Sequence, residues 1–288
     1  MPIRLDRLLT LRLFRPLRRS FCRRGGFGLP VLMYHSISDE SEADVPPYYR
    51  VSTHPKVFAG HMALLHARGF QVVNMRSGLR MLRGEDRAQE KTVVLTFDDG
   101  FRDFRTAAFP VLQQYGFGAT VFLTTAFVGR TPECFKAREC LTWDDARELQ
   151  RAGIEFGSHT VNHSKLVDLS WKDVENEVRA SKNEIEQQLG ERVSSFAYPY
   201  AFPSSRPDFV GRLSRLLQDA GYECCVTTDI GIAGAASDLF AIPRLPVNGD
   251  DDARLLEAKL EGGYDWMAAP QRWFKVLKQW RRSGGTNN

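Results

Sequence analysis

The sequence predicts one α/β domain, a parallel sheet with helices packed outside it, and three observations carry the prediction. From Leu29 onward, short apolar runs of strand length alternate with amphipathic runs of helical period, the signature of repeated strand and helix units. Five of the helical runs close on a glycine, Gly69, Gly116, Gly153, Gly190 and Gly221, where a helix C-terminus favours a left-handed residue. The chain has 288 residues, 43% hydrophobic and 26% charged, which suffices for one sizeable core and is ordinary for a globular protein. Periodicity alone leaves two closures open, a barrel or a doubly wound sheet.

Taken in order, the chain opens on a basic leader, residues 1–28. Arg4, Arg7, Arg12, Arg15, Arg18, Arg19, Arg23 and Arg24 face one acid, Asp6. Leucines spaced among these arginines suit either an amphipathic helix on an anionic membrane surface or a disordered arm. No apolar stretch reaches the roughly 7–15 residues of a secretory signal or the ~18 of a membrane span. A cytoplasmic protein is therefore expected, peripheral at the inner face of the membrane. Gly25, Gly26 and Gly28 mark the break before regular structure.

The domain proper, 29–265, contains strand candidates at Val31–Tyr34, Val72–Asn74, Thr92–Phe97, Ala119–Leu123, Glu155–Ser158, Ser195–Tyr198, Cys225–Thr227 and Leu239–Leu245. Helical patterns cover Pro55–Arg68, Phe104–Tyr115, Trp143–Ala152, Trp171–Leu189 and Phe209–Ala220. The tail, 266–288, predicts a helix over Trp266–Arg282 whose Trp273, Phe274, Leu277 and Trp280 are expected to pack on the protein's own body, a second surface anchor being the alternative. From residue 271 the tail carries Arg272, Lys275, Lys278, Arg281 and Arg282 and no acid. With a total of +4, the stretch between the two basic ends sums to −8, which excludes a nucleic-acid groove in the body. Five cysteines without a CxxC pair fit reduced thiols, although Cys134 and Cys140 are close enough in sequence to bridge a small loop.

Two segments carry chemistry. The run Thr92–Phe97 ends abruptly in Asp98, Asp99 and Gly100, placing two carboxylates at the carboxyl end of a strand, the edge on which parallel α/β folds build active sites. Taken alone, the same residues also suit a turn that caps the following helix. The run Glu155–Ser158 is followed by His159 and, four positions on, His163. On a helical turn these imidazoles would share one face and reach one ion. Two neutral imidazoles and one carboxylate leave coordination positions open, as in catalytic zinc sites. Cobalt, nickel or iron also fit that donor set.

These motifs resemble those of the polysaccharide deacetylase family, the NodB homology domain of carbohydrate esterase family 4. Thr96 to Gly100 is similar to its first motif, His159 to His163 to its second, and Phe196 to Tyr200 to its third, with Leu141 to Leu149 also alike. The opening Pro30 to Ser36 resembles the branch of exopolysaccharide N-deacetylases. The resemblance covers roughly residues 29–250 and implies a distorted (β/α) barrel. It implies Asp99, His159 and His163 as ligands of a divalent metal, Asp98 as general base, and an N-acetylated glycan or glycolipid as substrate. The chain departs from the family pattern twice. Ala197 stands where many members have an arginine that orients the base, for which Arg244 is the substitute candidate. No Leu-x-His motif supplies an acid, which turns attention to His35 at the end of the first strand. Tyr198, Pro199, Tyr200 and Trp143 are candidates for the sugar pocket, and equally for the core. Hydrolysis of another amide or an O-acetyl ester is the alternative activity, and a catalytically weak glycan-binding module the alternative class. Nothing in the sequence sets the oligomeric state.

Overall fold

Strand residues buried on both faces call for a sheet covered on both sides, and here the cover comes from closing the sheet on itself. A computed structural model describes residues 4–21, 28–87 and 89–283. Its parallel strands are β1 (Val31–Tyr34), β2 (Gln71–Val73), β3 (Thr92–Phe97), β4 (Thr120–Leu123), β5 (Glu155–Ser158), β6 (Ser195–Ala197), β7 (Cys224–Ile230) and β8 (Ile242–Pro246). The ring runs β1, β8, β7, β6, β5, β4, β3 and back to β1, a closed barrel of seven strands. β2 pairs only with the first half of β3, through Gln71↔Thr92 to Val73↔Val94, while β4 takes the second half from Thr96↔Thr120. This shared edge distorts the barrel.

The helices are α1 (Pro55–Ala67), α2 (Met75–Leu82), α3 (Phe109–Tyr115), α4 (Trp143–Arg151), α5 (Trp171–Leu189), α6 (Pro207–Asp219) and α7 (Ala253–Leu260). Alternation along β3 divides the core in two. Val93, Leu95 and Phe97 face the helical shell with Phe58, Leu112 and Phe156, whereas Val94 joins Phe122, Ala197 and Val226 in the interior cluster. The predicted helix Phe104–Tyr115 opens with a π-helical turn, Phe104–Ala108. Helices α2 and α7, each eight residues long, escaped the periodicity reading because two turns hold too few apolar repeats. Asn74 and Asp252 cap them, accepting from Ser77 N and Leu255 N. An antiparallel pair, Cys134–Phe135 with Arg138–Glu139, also went unpredicted. The described cysteines, Cys134, Cys140, Cys224 and Cys225, are unpaired thiols.

Both termini lie against the body. The leading helix, Leu5–Leu9 continued through a π turn into Arg15–Phe21, turns most of its cations onto acids of the body. Arg4 pairs with Asp6 at 2.6 Å and with Asp251 at 3.1 Å, Arg15 with Glu257 at 2.6 Å and Glu261 at 2.8 Å, and Arg18 with Asp265 at 3.0 Å. Arg7 pairs with Asp252. Phe14 stacks on Trp266 at 4.7 Å. The trailing helix, Ala268–Ser283, departs from expectation: Trp273 and Phe274 are 71% and 72% exposed rather than packed. Cys22, Arg23, Arg24, Gly25 and Gly26 lie outside the described residues, as do the side chains of Arg19, Leu277, Lys278, Trp280, Arg281 and Arg282. Among the described residues no helix is long and apolar enough to cross a membrane.

Candidate active site

The site is assembled at the carboxyl ends of β1, β3 and β5. Register does the first part: Tyr34 pairs with Phe97, so the residues that follow, His35 and Asp98, emerge side by side. Their Nε2 and Oδ2 atoms are 3.9 Å apart, and Asp98 N–H donates to Tyr34 O at 3.0 Å. Asp99 and Gly100 then turn the chain in the left-handed region, with φ of 72° and 70°. A Cβ at Gly100 would meet Leu123 Cδ2 at 2.8 Å, so glycine is needed for space as well as conformation. Holding Asp99, which has a Cβ, at such a φ is the kind of strain found at functional sites.

Asp98 is buried and clamped. Arg244, on β8 and fully buried in the barrel interior, donates through its two terminal nitrogens to Oδ1 and Oδ2 at 2.7 Å each. The guanidinium is itself positioned by Thr227 O at 2.9 Å and Thr96 Oγ1 at 3.1 Å. Ala197 belongs to the same interior cluster. The arginine absent from β6 is thus matched by one arriving from β8, in a bidentate geometry that fixes both carboxylate oxygens. Burial pushes the Asp98 pKa up, but Arg244 and His159 outweigh it and bring it down to about 2.

Asp99, His159 and His163 converge. Their ligand atoms lie within 4.8 Å of one another, with Asp99 Oδ1 at 3.6 Å from His159 Nε2 and 3.2 Å from His163 Nε2. His159 Nδ1 donates to Ala197 O at 2.7 Å, which leaves Nε2 with its lone pair facing the carboxylate. Burial lowers the His159 pKa to about 4, so the ring is neutral at physiological pH. Burial raises the Asp99 pKa, and the neighbouring His163, His35, His159 and Lys136 overturn that and hold it well below the usual carboxylate range. Asp99 Oδ1 is buried without a hydrogen-bond partner. An ionised oxygen in that state, beside two imidazole nitrogens, fits a divalent cation by the chemistry of its donors.

The helical turn expected at 159–163 is not there. The segment is a loop in which Thr160 and His163 take φ of 71° and 54°, and the rings meet edge to face at 4.9 Å. Glu177, on α5 and nearly buried, holds this loop. It accepts from Val161 N at 2.8 Å, Asn162 N at 2.9 Å and Asn162 Nδ2 at 2.8 Å. Lys136, at the tip of the 134–139 hairpin, donates to Asp99 Oδ2 at 3.0 Å. Phe135 beside it lies 5.2 Å from the His163 ring. Sequence reasoning missed both Glu177 and Lys136, and neither sits in a motif that signals its role.

Of the four pocket candidates, only Tyr200 reaches the mouth, 44% exposed and 4.4 Å from the His163 ring. Trp143 and Tyr198 belong to the shell core instead, at 4% and 1% exposure, and Pro199 is buried as well. Aromatic rings near a rim serve as packing as readily as sugar platforms, and here the helices claim them. His61 also turns inward, hydrogen-bonded to Tyr34 Oη at 3.0 Å.

A family model described as polysaccharide deacetylase matches residues 85–224. YxkH of Bacillus subtilis (strain 168), named for the same family, is 31% identical over 224 residues, 76% of this chain and 71% of its own. The chain belongs to the polysaccharide deacetylase family. It is a carbohydrate deacetylase, and the distorted (β/α) barrel expected from the motifs is the fold observed. The Streptococcus pyogenes deacetylase PplD, solved in complex with acetate, superimposes with a TM-score of 0.70 at 26% identity, covering 81% of this chain and 98% of that one. IcaB from Ammonifex degensii shares the fold, with a TM-score of 0.68 at 22% identity over 82% of this chain and 98% of its own. The poly-beta-1,6-N-acetyl-D-glucosamine N-deacetylase of Escherichia coli (strain K12) is 26% identical over 76% of this chain, which spans only 36% of that longer relative.

Proposed function

We propose that this polysaccharide deacetylase removes N-acetyl groups from N-acetylhexosamine units of a polysaccharide or lipid-linked glycan, with Asp98 as general base. The observation that carries the reading is the buried meeting of Asp99, His159 and His163 beside a second carboxylate already committed to Arg244. The N-deacetylase name of the Escherichia coli relative supports the choice of an amide over an ester.

A divalent cation held by Asp99, His159 and His163, zinc first and cobalt, nickel or iron as alternatives, would polarise the amide carbonyl and acidify the attacking water. Asp98, ionised throughout the physiological range, accepts the proton of that water, and Arg244 keeps its oxygens aimed. A backbone N–H near Tyr200 is assigned to the developing oxyanion. His35 is assigned the proton for the leaving nitrogen. Burial lowers its pKa against the pull of Asp98 and Asp99, which strengthens the imidazolium as an acid while leaving less of it at rest, so the ring has to take up its proton before passing it on. Cleavage of the carbon–nitrogen bond releases acetate and leaves a free amine on the sugar. The substrate is read as a glycan held at the inner face of a membrane. The reading of a catalytically weak module drew on Ala197 and on the absent Leu-x-His motif; the Arg244 clamp answers the first, and the assignment of His35 as acid is the answer proposed for the second.

Metal analysis coupled to acetate release tests the proposal. His159→Ala should lose both metal and turnover, whereas Asp98→Asn should keep the metal and lose about 10²–10⁴-fold in kcat. Full activity in Asp98→Asn, or acetate released only from O-acetyl esters in a panel of acetylated glycans, would refute it.

A further inference from the structure

Eight large hydrophobic residues are exposed among the described residues, and seven of them lie on three elements that touch one another. Leu5, Leu8, Leu13 and Leu17 lie on the leading helix, Trp273 and Phe274 on the trailing helix, and Tyr49 on the turn between β1 and α1. The eighth, Tyr200, is at the mouth of the site. The three elements are joined. Trp266, just before the trailing helix, stacks on Phe14 and donates from Nε1 to Thr10 Oγ1 at 3.0 Å. Tyr48 lies beside Gln271 and packs against Tyr49 at 5.1 Å. The leading helix is therefore docked by its charged face, with its leucines outward, the reverse of an ordinary surface helix.

This face also borders the site. Gln271 accepts from Ile230 N at 3.0 Å and donates to Thr228 O at 2.7 Å, and Thr228 Oγ1 donates to Tyr200 O at 2.9 Å. Lys275 donates to Phe202 O at 2.9 Å. The trailing helix thus rests on the loop that carries the ring at the mouth.

We propose that the leucine and aromatic face of the two terminal helices docks on an anionic phospholipid bilayer and sets the mouth of the site at headgroup level. The occupant follows from charge. The exposed cations among the described residues of the two helices are Arg12, Arg18 and Arg272, of which Arg18 is paired with Asp265, and the sequence from 271 onward carries five Lys or Arg and no acid. Apolar and aromatic side chains bordered by cations match the boundary between acyl chains and anionic headgroups. A second copy of the chain would instead set like charges against one another. Docking stands on its own observations, while its use for a membrane-held glycan rests on the deacetylase reading above.

Cosedimentation of the full metal-loaded chain with phosphatidylcholine vesicles, with and without phosphatidylglycerol, tests the dock. Binding is expected only with the anionic lipid, to weaken with salt, and to fall by about tenfold or more in the triple variant Leu13→Ser, Trp273→Ala, Phe274→Ala. Because all three positions are exposed, the variant should keep its thermal midpoint and release acetate from a soluble acetylated oligosaccharide at the wild-type rate. Wild-type protein that stays in the supernatant, or a variant that sediments equally, overturns the proposal. So does a lipid-free dimer that the triple substitution dissociates, since the face would then belong to a second copy. Absent acetate release in both proteins would overturn the reading of activity alone, with the sedimentation result still deciding the dock.

Discussion

Replacing Arg244 by methionine isolates the clamp on the base. The side chain is fully buried and meets Asp98, itself 2% exposed, through two hydrogen bonds of 2.7 Å. Asp98 sits at about 2 against an ordinary value of 3.8, a depression that contributes roughly 2–3 kcal/mol at neutral pH. Removing one partner also strands a buried carboxylate, so the total loss should be about 3–5 kcal/mol, or roughly 5–10 °C in thermal midpoint for a chain of this size. In the wild type, the stabilisation from Asp98 is complete above the ordinary value and vanishes as pH falls through about 2. In the variant, burial acts without the guanidinium and raises the pKa, so the deficit should be greatest at neutral pH and shrink as acid protonates Asp98. Thermal unfolding of both proteins with a chelator present, between about pH 4 and pH 8, measures this. The double variant Arg244→Met, Asp98→Asn should recover most of the loss, because no stranded charge remains. A single-variant loss below about 1 kcal/mol, or one that does not change with pH, would refute the idea that Arg244 holds an ionised Asp98.

Ala197→Arg introduced into Arg244→Met should restore part of the acetate release, since position 197 opens on the same barrel interior; no gain over Arg244→Met alone would deny that the two positions are interchangeable. Glu177→Gln keeps the size but weakens the four hydrogen bonds that shape the ligand loop, and metal affinity measured by competition with a chelator should drop about 10–100-fold. Lys136→Met removes a cation 3.0 Å from a ligand carboxylate, so metal should bind more tightly, by about tenfold, as expected for loss of one partly exposed like charge; weaker binding in the same competition assay would instead make Lys136 a support for Asp99.

What the chain's order disclosed, and what it hid, follows from the range of each interaction. Asp98, Asp99, His159 and His163 were legible because each pair follows its own apolar strand, and parallel strands deliver their carboxyl ends to one rim. The local path between the histidines was not, since a spacing of four suits a helix and also a loop with two left-handed residues. Barrel closure needed pairing between β1 and β3, which periodicity does not encode. Lys136 and Glu177 act across 37 and 16 positions respectively, and no pattern within a helix or strand announces such contacts. Arg244 stood out earlier because the missing arginine at 197 left Asp98 in need of a cation, so that a defect in one motif pointed at a residue outside it.

The leader shows the same logic working through charge. Its arginines, read by themselves, were cations for an anionic surface, yet the stretch between the basic ends sums to −8. Part of that excess is Asp251, Asp252, Glu257, Glu261 and Asp265, the residues that Arg4, Arg7, Arg15 and Arg18 meet. An amphipathic period states that a helix has two faces without stating which one the body will take. Here the body is acidic where the helix lands, so the charged face goes in and Leu5, Leu8, Leu13 and Leu17 go out. The membrane contact proposed above accordingly uses the leucine side of this amphipathic helix, while the arginines that meet the body's acids hold the helix in place and take no part in it.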